Sequence, residues 1–283
     1  MADRLTLMTV HAHPDDEAIG TGGVLRRAAD EGIHTVLVTC TGGEVGEIAH
    51  PGLATAENLG EVRRLELEAA CEILGIGSLH LLGYRDSGMV GTPDNDHPDC
   101  FFQADLEQAI GKLVAIIRQE RPQVLITYDD NGFYGHPDHI HANRITVAAF
   151  DAAGDAARFP EAGEPWQPLK LYYTAAPRSA LGQFADRLRE AGIPVPFSEE
   201  ETFDPPFGTP DELVTTEIDV SAQVERKRAG LLAHATQMGP EVFFAHLPPP
   251  LFHELFGREH FQRVQSLRPA PDREDDLFAG LRL

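Results

Sequence analysis

The sequence predicts an α/β fold: a mainly parallel β-sheet with helices on both faces. In the first 150 residues, short apolar runs of the strand type alternate with longer segments of helical spacing. Alternation of this length is typical of βαβ units. The chain has 283 residues, of which 42% are hydrophobic, enough for a sizeable core. We therefore expect one domain over 1–283, with a core at 1–150 and a C-terminal elaboration at 151–283.

Compact apolar runs predict the strands of the core, at 4–10, 34–40, 79–84 and 123–128. Helical spacing between these runs predicts helices at 23–33, 57–76 and 105–122. The predicted helices end at residues that stop helices, namely Gly32, Gly75 and Pro122. Each predicted strand is thus followed by enough chain for a crossover to the next parallel strand.

After residue 150 the pattern becomes less regular. A connection rich in glycine and proline, at 151–168, leads to a predicted strand at 169–175 and a helix at 179–192. A proline-rich stretch at 194–212 comes next, then a strand at 213–220 and a helix at 221–237 that Ser221 is expected to cap. The tail at 268–283 is left with two alternatives, docking on the domain or disorder.

Charge and composition exclude several classes of protein. The net charge is −22, with 45 acidic against 23 basic residues, so the surface repels nucleic acids and anionic membranes. No apolar stretch approaches the ~20 residues that a bilayer requires, and the N-terminus lacks a signal-like apolar region. The three cysteines show no CxxC spacing, which argues against a disulfide framework. We expect a soluble cytoplasmic protein with no nucleic-acid and no membrane partner.

The loops that follow the first four predicted strands carry unusual polar residues. In open parallel sheets, ligands bind beyond the carboxyl ends of the strands, so these loops should share one rim. Their sequences are "HAHPDDE" (11–17), "TGGEVGE" (41–47), "YRDSGM" (84–89) and "YDDNGFYGHPDHIH" (128–141). Five of the 13 histidines lie in the first and fourth loops: His11, His13, His136, His139 and His141. This clustering predicts a site at the rim.

Three of these residues form a candidate metal site. The spacing His13-x-x-Asp16 brings two ligands together across one turn, and His139 can complete the set from the fourth loop. Imidazoles with a carboxylate suit Zn²⁺, and three protein ligands leave a position open for water, as in catalytic sites. We expect one Zn²⁺ per chain, with Fe²⁺ left open. The alternative is that these are solvated turn residues.

Two paired motifs, "AHPDDE" (12–17) and "GHPDH" (135–139), together resemble the PIG-L/LmbE-like family of zinc-dependent N-deacetylases. The segments "VTCTGGEVGE", "YRDSGM", "GEPWQPLKLYY" and "LLAHATQ" are most similar to the members of the mycothiol pathway. The likeness extends over nearly the whole chain. It implies a Rossmann-like fold and a small-molecule glycoconjugate substrate, from which the acetyl group of an N-acetylglucosaminyl unit is removed.

The chemistry of amide hydrolysis requires a base for water and an acid for the leaving amine. Asp15 fits the base, and the resemblance implies the same role; the alternative is an acid at a helix N-terminus. His136 is expected to stabilise the oxyanion or to protonate the amine, with Asp138 orienting it. Tyr134 is expected to add a hydroxyl to the oxyanion pocket, or else to pack beside Phe133.

Sugar recognition requires polar groups for several hydroxyls. The resemblance implies that Glu47, Arg63 and Asp86 contact the glycoside or the inositol. For Arg63 the alternative is a solvated charge on a helix. His234, in "LLAHATQ", is interpreted as a buried histidine with a satisfied hydrogen bond.

Other functions stay open at this point. An S-conjugate amidase of the same pathway, or a tailoring deacetylase of secondary metabolism, would keep the same metal residues. A non-catalytic dinucleotide-binding module is disfavoured, because no GxGxxG follows the first strand. Whether the chain forms a homo-oligomer is also left open.

Overall fold

The computed structural model describes residues 4–195, 207–239 and 242–282. Its strands are β1 (Thr6–His11), β2 (His34–Thr41), β3 (Ser78–Tyr84), β4 (Val124–Thr127), β5 (Lys170–Ala175), β6 (Thr216–Asp219) and β7 (Arg258–Ser266). They form one seven-stranded sheet in the order β3-β2-β1-β4-β5-β7-β6. The first five strands run parallel, and β7 is antiparallel to both β5 and β6. The predicted mainly parallel α/β sheet is confirmed.

The α-helices of the described residues are α1 (Asp16–Gly20), α2 (Gly22–Asp30), α3 (Leu59–Leu74), α4 (Leu106–Glu120), α5 (Gly132–Gly135), α6 (Pro137–Ala152), α7 (Arg178–Glu190), α8 (Val224–Ala233) and α9 (Pro249–Phe256). Two of the predicted stop signals work as expected. Gly75 takes the left-handed conformation that ends α3, with φ of 76°. Arg121, directly before Pro122, does the same for α4 with φ of 54°. No helix among the described residues has the length and apolarity needed to cross a membrane.

Alternation along the buried strands divides the core into two layers. Met8 of β1 packs in a cluster with Leu113 of α4 and Ile145 of α6 on one face of the sheet. Leu7, one residue earlier, packs with Leu25 of α2 on the other face. Successive strand residues point to opposite faces, so a continuous apolar run can fill both layers. The prediction of helices on both faces is therefore confirmed.

The order of the strands creates a crevice at one position. From β1 the chain moves outward through β2 and β3, then returns to place β4 on the opposite side of β1. Such a reversal leaves a crevice beyond the carboxyl ends of the two central strands. The loops after β1 and β4, which carry "HPDDE" and "GHPDH", both begin at this crevice.

The C-terminal part extends the same sheet. Strands β5, β7 and β6 continue it beyond β4, and α8 packs against α3 and α2. The described part of the tail docks, because Glu274, Leu277 and Phe278 are buried. Part of the proline-rich stretch, 196–206, lies outside the described residues, as do 240–241 and the last residue of the tail.

Three local features differ from the sequence prediction. The expected cap at Ser221 is wrong: α8 begins at Val224, and the N–H of Ser221 donates to the Asp219 carboxylate in the preceding turn. Helix α9 and strand β7 were not predicted. The β7 sequence "REHFQRVQS" is mostly polar, so its apolar pattern is too weak to identify a strand.

Candidate active site

The loop after β1 holds its acidic residues in a tight turn. The carboxylate of Asp16, the first residue of α1, accepts a hydrogen bond from the His13 N–H at 2.8 Å. The same Oδ2 accepts from the hydroxyl of Tyr128, at the end of β4, at 2.7 Å. That hydroxyl in turn accepts from the Ala12 N–H at 2.8 Å. Tyr128 therefore joins the ends of β1 and β4 and fixes Asp16 between them.

Ligand atoms of three residues converge at this point. Nδ1 of His13 lies 3.3 Å from Nε2 of His139 and 3.5 Å from Oδ2 of Asp16. Nε2 of His139 lies 3.5 Å from Oδ1 of Asp16. Ligands about 2.1 Å from a tetrahedral ion are separated by about 3.4 Å. The two nitrogens have this spacing, whereas the Asp16 carboxylate approaches them through two different oxygens.

The second nitrogen of His13 faces two other carboxylates. Its Nε2 lies 3.2 Å from Asp138 and 3.5 Å from Asp86. A histidine that binds metal through one nitrogen usually donates a hydrogen bond to a carboxylate from the other. Burial lowers the pKa of His13, but its hydrogen bonds to Asp138, Asp16 and Asp86 raise it well above the usual value. This ring of carboxylates favours positive charge, which a divalent cation can supply.

Two groups of the described residues have single ligand atoms within reach of one ion, and neither includes Asp16. Atoms of His13, His136 and His139 lie within 4.8 Å of one another, and so do atoms of His13, Asp86, His136 and Asp138. We favour Asp16 over His136 as the third ligand, because Nδ1 of His136 already accepts the Asp138 N–H at 3.1 Å. The described residues can thus hold a metal, whichever of these sets binds it.

The protonation states of two proposed ligands suit metal binding. Burial lowers the pKa of His139 to about 3, so its imidazole is neutral near pH 7. Burial raises the pKa of Asp16, but His139 and His13 oppose this and hold it well below the usual value. Asp16 is therefore an ionised carboxylate. A neutral imidazole and a carboxylate are the forms that bind zinc.

Asp15 lies beside the proposed ligands in a different environment. Burial raises its pKa to about 6, against the opposing charge of Arg63. Nη2 of Arg63 lies 3.2 Å from Oδ2 of Asp15. Asp15 is therefore largely ionised near neutral pH, yet it is a stronger base than an ordinary aspartate.

His136 and Asp138 do not pair as expected. The Asp138 carboxylate contacts His13 and Ser87, and only the backbone N–H of Asp138 reaches His136. Burial, with the neighbouring His13, lowers the pKa of His136. A neutral His136 that accepts at Nδ1 carries its proton on Nε2, where it can donate a hydrogen bond.

Tyr134 lies at the mouth of this cluster. Its side chain is 42% exposed, and its ring packs edge-on against His139 at 4.9 Å between centroids. It also contacts Phe133, in the packing considered as the alternative to an oxyanion role. Both interpretations of Tyr134 fit this position.

The residues expected to contact the substrate lie in different environments. Glu47 is exposed on the loop after β2, whereas Arg63 is 3% and Asp86 4% exposed. Arg63 is not a solvated helix charge: its guanidinium donates to Gly43 O at 2.9 Å and Pro14 O at 2.5 Å. The observed contacts of Arg63 and Asp86 are thus with the catalytic loops. Their contacts with substrate stay predictions.

Two residues at the site were missed in the sequence. Tyr128 was assigned to the end of a strand without a role; the signal was a hydroxyl at the switch point of the sheet. Glu44, in "TGGEVGE", accepts the N–H of Asp86 at 2.9 Å and so links the second and third loops. Glu44 also lines a cavity of about 940 Å³ beside the cluster. That cavity is formed by α3, β3 and the start of α4, and none of the proposed metal ligands lines it.

Comparison with known proteins identifies the family to which the chain is similar. The PIG-L family, described as GlcNAc-PI de-N-acetylase, matches residues 8–150. The chain is 50% identical to the 1D-myo-inositol 2-acetamido-2-deoxy-alpha-D-glucopyranoside deacetylase of Thermobispora bispora, covering 99% of this chain and 100% of that protein. It is 46% identical to the protein of the same name from Geodermatophilus obscurus, with 97% of each covered.

Among solved structures, the chain is similar to an N,N'-diacetylchitobiose deacetylase from Pyrococcus horikoshii, crystallised with an inhibitor. The TM-score is 0.65 at 18% identity, covering 93% of this chain and 85% of that one. At this level of identity the likeness establishes the shared fold.

Proposed function

The chain belongs to the PIG-L family of GlcNAc-PI de-N-acetylases, and from that premise we propose that it removes the acetyl group from N-acetylglucosaminyl-inositol. The observation that carries this proposal is the triangle of His13, Asp16 and His139 with Asp15 beside it. One catalytic carboxylate next to a set of metal ligands is the arrangement that metal-assisted amide hydrolysis requires.

We propose that His13, Asp16 and His139 hold one divalent metal, with zinc as its identity. The chemistry that such a metal supplies when bound is acidification of water and polarisation of the acetyl carbonyl. Tyr128 and the carboxylates around His13 orient these ligands, as outer hydrogen-bond partners do in metal sites. The alternative interpretation of these residues, as solvated turn residues, does not fit their burial.

Asp15 takes the proton from the attacking water and returns it to the leaving amine. Its elevated pKa suits both steps, because a base near neutrality is strong enough to accept a proton and weak enough to release it. His136 donates a hydrogen bond from Nε2 to the oxygen of the acetyl carbonyl as negative charge develops there. Tyr134, at the mouth, is placed to add its hydroxyl to the same oxygen. Asp138 keeps His13 oriented.

The sugar and the inositol are proposed to bind along the rim beside these residues. Glu47, on the exposed side of the second loop, is the most accessible of the three predicted contacts. Asp86 and Arg63 are proposed to act at the buried end of the same groove, next to His13 and Asp15. The whole chain, 1–283, is proposed as the functional unit, because its C-terminal strands belong to the same sheet.

The test of the function is turnover of N-acetylglucosaminyl-inositol compared with a bimane S-conjugate and with free N-acetylglucosamine. We expect the inositol conjugate to give the highest kcat/KM, measured as release of acetate. A higher value for the S-conjugate would replace the proposal with an amidase. No hydrolysis of any of the three by metal-loaded protein would refute it.

The test of the metal site is the metal content of purified variants. We expect His139→Ala to lose most of the bound metal, because one of three protein ligands is removed. His141→Ala is the matched control, since His141 is a buried histidine of the same helix whose ring packs on Phe101. Full occupancy in His139→Ala would show that the ligand set is wrong.

A further inference from the structure

The backbone of Asp15 has an unusual conformation. Its φ is 114° with ψ of −31°. Three other described residues that are not glycine also have positive φ, between 49° and 67°, and two of them, Arg121 and Phe159, lie in the left-handed helical region. A conformation outside that region is strained for a residue with a Cβ and persists only where the surroundings hold it. The structure must therefore contain contacts that hold Asp15.

Both ends of the peptide unit between Pro14 and Asp15 are held. The Pro14 carbonyl accepts from Nη2 of Arg63 at 2.5 Å. The Asp15 N–H donates to Oε2 of Glu17 at 2.9 Å. Fixing both ends of this peptide fixes its plane, and with it the direction in which the Asp15 side chain leaves the backbone.

The Glu17 carboxylate is itself fixed by a residue from the C-terminal part of the chain. Nε2 of His234 lies 2.7 Å from Oε1 of Glu17, and both side chains are fully buried. Nδ1 of His234 is buried without a hydrogen-bond partner among the described residues. A buried polar atom without a partner destabilises the fold. The contact with Glu17 is thus the one polar interaction described for this ring.

The turn that contains His234 makes two further contacts, one with helix α3 and one with the loop after β2. Thr236 donates to the Glu66 carboxylate of α3 through its N–H at 2.8 Å and its hydroxyl at 2.6 Å. Nε2 of Gln237 donates to the carbonyl of Glu47 at 3.1 Å. The turn 234–237 therefore connects α8 to the loops after β1 and β2. It lies outside residues 8–150, the part of the chain that the family match covers.

We propose that His234 is a positioning residue for the reaction: through Glu17 it holds the Asp15 peptide in the orientation that aims the general base. The proposal rests on the role of Asp15 in the proposed function. It assigns to the C-terminal elaboration a part in catalysis, exerted through one hydrogen bond to a side chain of the N-terminal core.

The experiment compares His234→Leu with His234→Gln. Leucine removes the donor, whereas the glutamine amide can still donate to Glu17. Tyr172→Phe is the matched control, because it also removes a buried hydrogen bond to a carboxylate, that of Glu274, in the C-terminal part. We measure metal content, kcat, KM and hydrogen–deuterium exchange of peptides that contain Asp15.

We expect His234→Leu to keep its metal and its KM but to lose about 10- to 100-fold in kcat, the effect of misplacing a catalytic group. Glutamine should restore most of kcat. The Asp15 amide should exchange faster in the leucine variant and at the wild-type rate in Tyr172→Phe. The last readout needs no turnover, so it tests the contact even if the proposed substrate is wrong.

Unchanged exchange at Asp15 in His234→Leu would overturn the proposal, whatever the activity. Equal losses of kcat in the leucine and glutamine variants would also overturn it, since the hydrogen bond would then be irrelevant. If His234→Leu does not fold, His234→Gln alone tests the proposal. It must retain protected exchange at Asp15 and most of kcat, and failure of either contradicts the proposed contact.

Discussion

Single residues at this site differ sharply in basicity, although they lie next to one another in the sequence. Asp15 and Asp16 are consecutive, yet burial raises the pKa of the first, while two histidines lower that of the second. The side chains leave the turn in different directions, so one faces Arg63 and the other faces His13 and His139. Their environments thus suit two identical side chains to the two different roles proposed for them, base and ligand.

The pH dependence of activity tests the role of Asp15. In the proposed role its ionised form is the base, so kcat/KM should fall as pH decreases through its pKa, at or below about 6 because a bound cation favours the carboxylate. Asp15→Asn should keep its metal, lose about 10²–10⁴-fold in kcat and lose this acid limb. If kcat/KM of the variant still falls at low pH as in the wild type, this fall is due to the titration of another group.

Tyr128 offers a second test at the residue scale. Tyr128→Phe removes the hydrogen bond to Asp16 but keeps the ring that stacks on His139 at 4.1 Å. We expect about 10- to 100-fold weaker metal binding, as when an outer partner of a ligand is lost. The control is Tyr84→Phe, since Tyr84 also ends a strand but stacks on Phe101 instead. Equal metal affinity of the two variants would contradict a positioning role.

Much of the residue-level site was predictable. Because parallel strands end at one rim, the loops with "HPDDE" and "GHPDH" were expected to meet, and the structure brings His13, Asp16 and His139 within 3.5 Å. The partners of Asp138 were not predictable, because the sequence does not say which way a carboxylate at a helix start turns. The burial of Arg63 was also missed, since it depends on how α3 packs over the catalytic loop.

At the scale of elements, apolar runs located the strands of the core and, in the C-terminal part, β5 and β6, but they missed β7. Buried parallel strands are nearly continuous apolar runs, so β1, β2 and β4 were readily predicted. Strand β7 pairs with β5 and β6 but carries arginine, histidine and glutamine. Its place in the sheet is therefore a consequence of tertiary pairing rather than of local sequence.

A carboxylate joins three elements at the opposite end of the sheet. Glu120, the last residue of α4, accepts from His34 of β2 at 3.0 Å and from His80 of β3 at 2.9 Å, with Ser78 beside them. Burial raises the pKa of Glu120, but the hydrogen bonds from His34 and His80 outweigh it and lower the pKa below its usual value. The ionised form is thus stabilised by folding.

The lowered pKa of Glu120 determines how its contribution to stability changes with pH. A carboxylate whose pKa is lowered in the folded state stabilises it above the unfolded pKa of about 4.3, and this contribution is lost as pH falls through the folded value. Glu120→Gln should therefore lower the free energy of unfolding by about 1 kcal/mol at pH 7, and the difference should shrink towards pH 3. Urea unfolding across this range measures it.

The control for this prediction is Glu107→Gln on the same helix. Glu107 is exposed, and among the described residues its side chain pairs with Arg158 alone, at the surface, so its removal should change stability by less than about 0.5 kcal/mol. A difference for Glu120→Gln that stays constant from pH 7 to pH 3 would show that charge is not its cause.

At the scale of the whole molecule, the sequence predicts a C-terminal elaboration at 151–283 of a single domain, and the question is how this part is attached to the core. The structure places β5, β7 and β6 in the sheet of the N-terminal core. A buried ion pair then ties the tail to this sheet: Nζ of Lys170, in β5, lies 2.5 Å from Oε1 of Glu274. The Tyr172 hydroxyl donates to the other oxygen of Glu274 at 2.7 Å.

These contacts predict that the chain unfolds as one cooperative unit that depends on Glu274. Glu274→Ala should lower the free energy of unfolding by roughly 3–5 kcal/mol, because the fully buried Lys170 loses its counter-charge. Combining Lys170→Met with Glu274→Leu should restore part of this loss, since Lys170 then leaves no buried charge, whereas Arg263, 2.7 Å from the other oxygen of Glu274, still loses its partner. The indole N–H of the single tryptophan, Trp166, donates a hydrogen bond to the Pro122 carbonyl at 2.7 Å. Trp166 lies in the connection between the two halves, so its fluorescence reports on this connection. Its fluorescence and the far-UV circular dichroism should change at the same urea concentration, whereas separate transitions would show that 151–283 folds independently of the core.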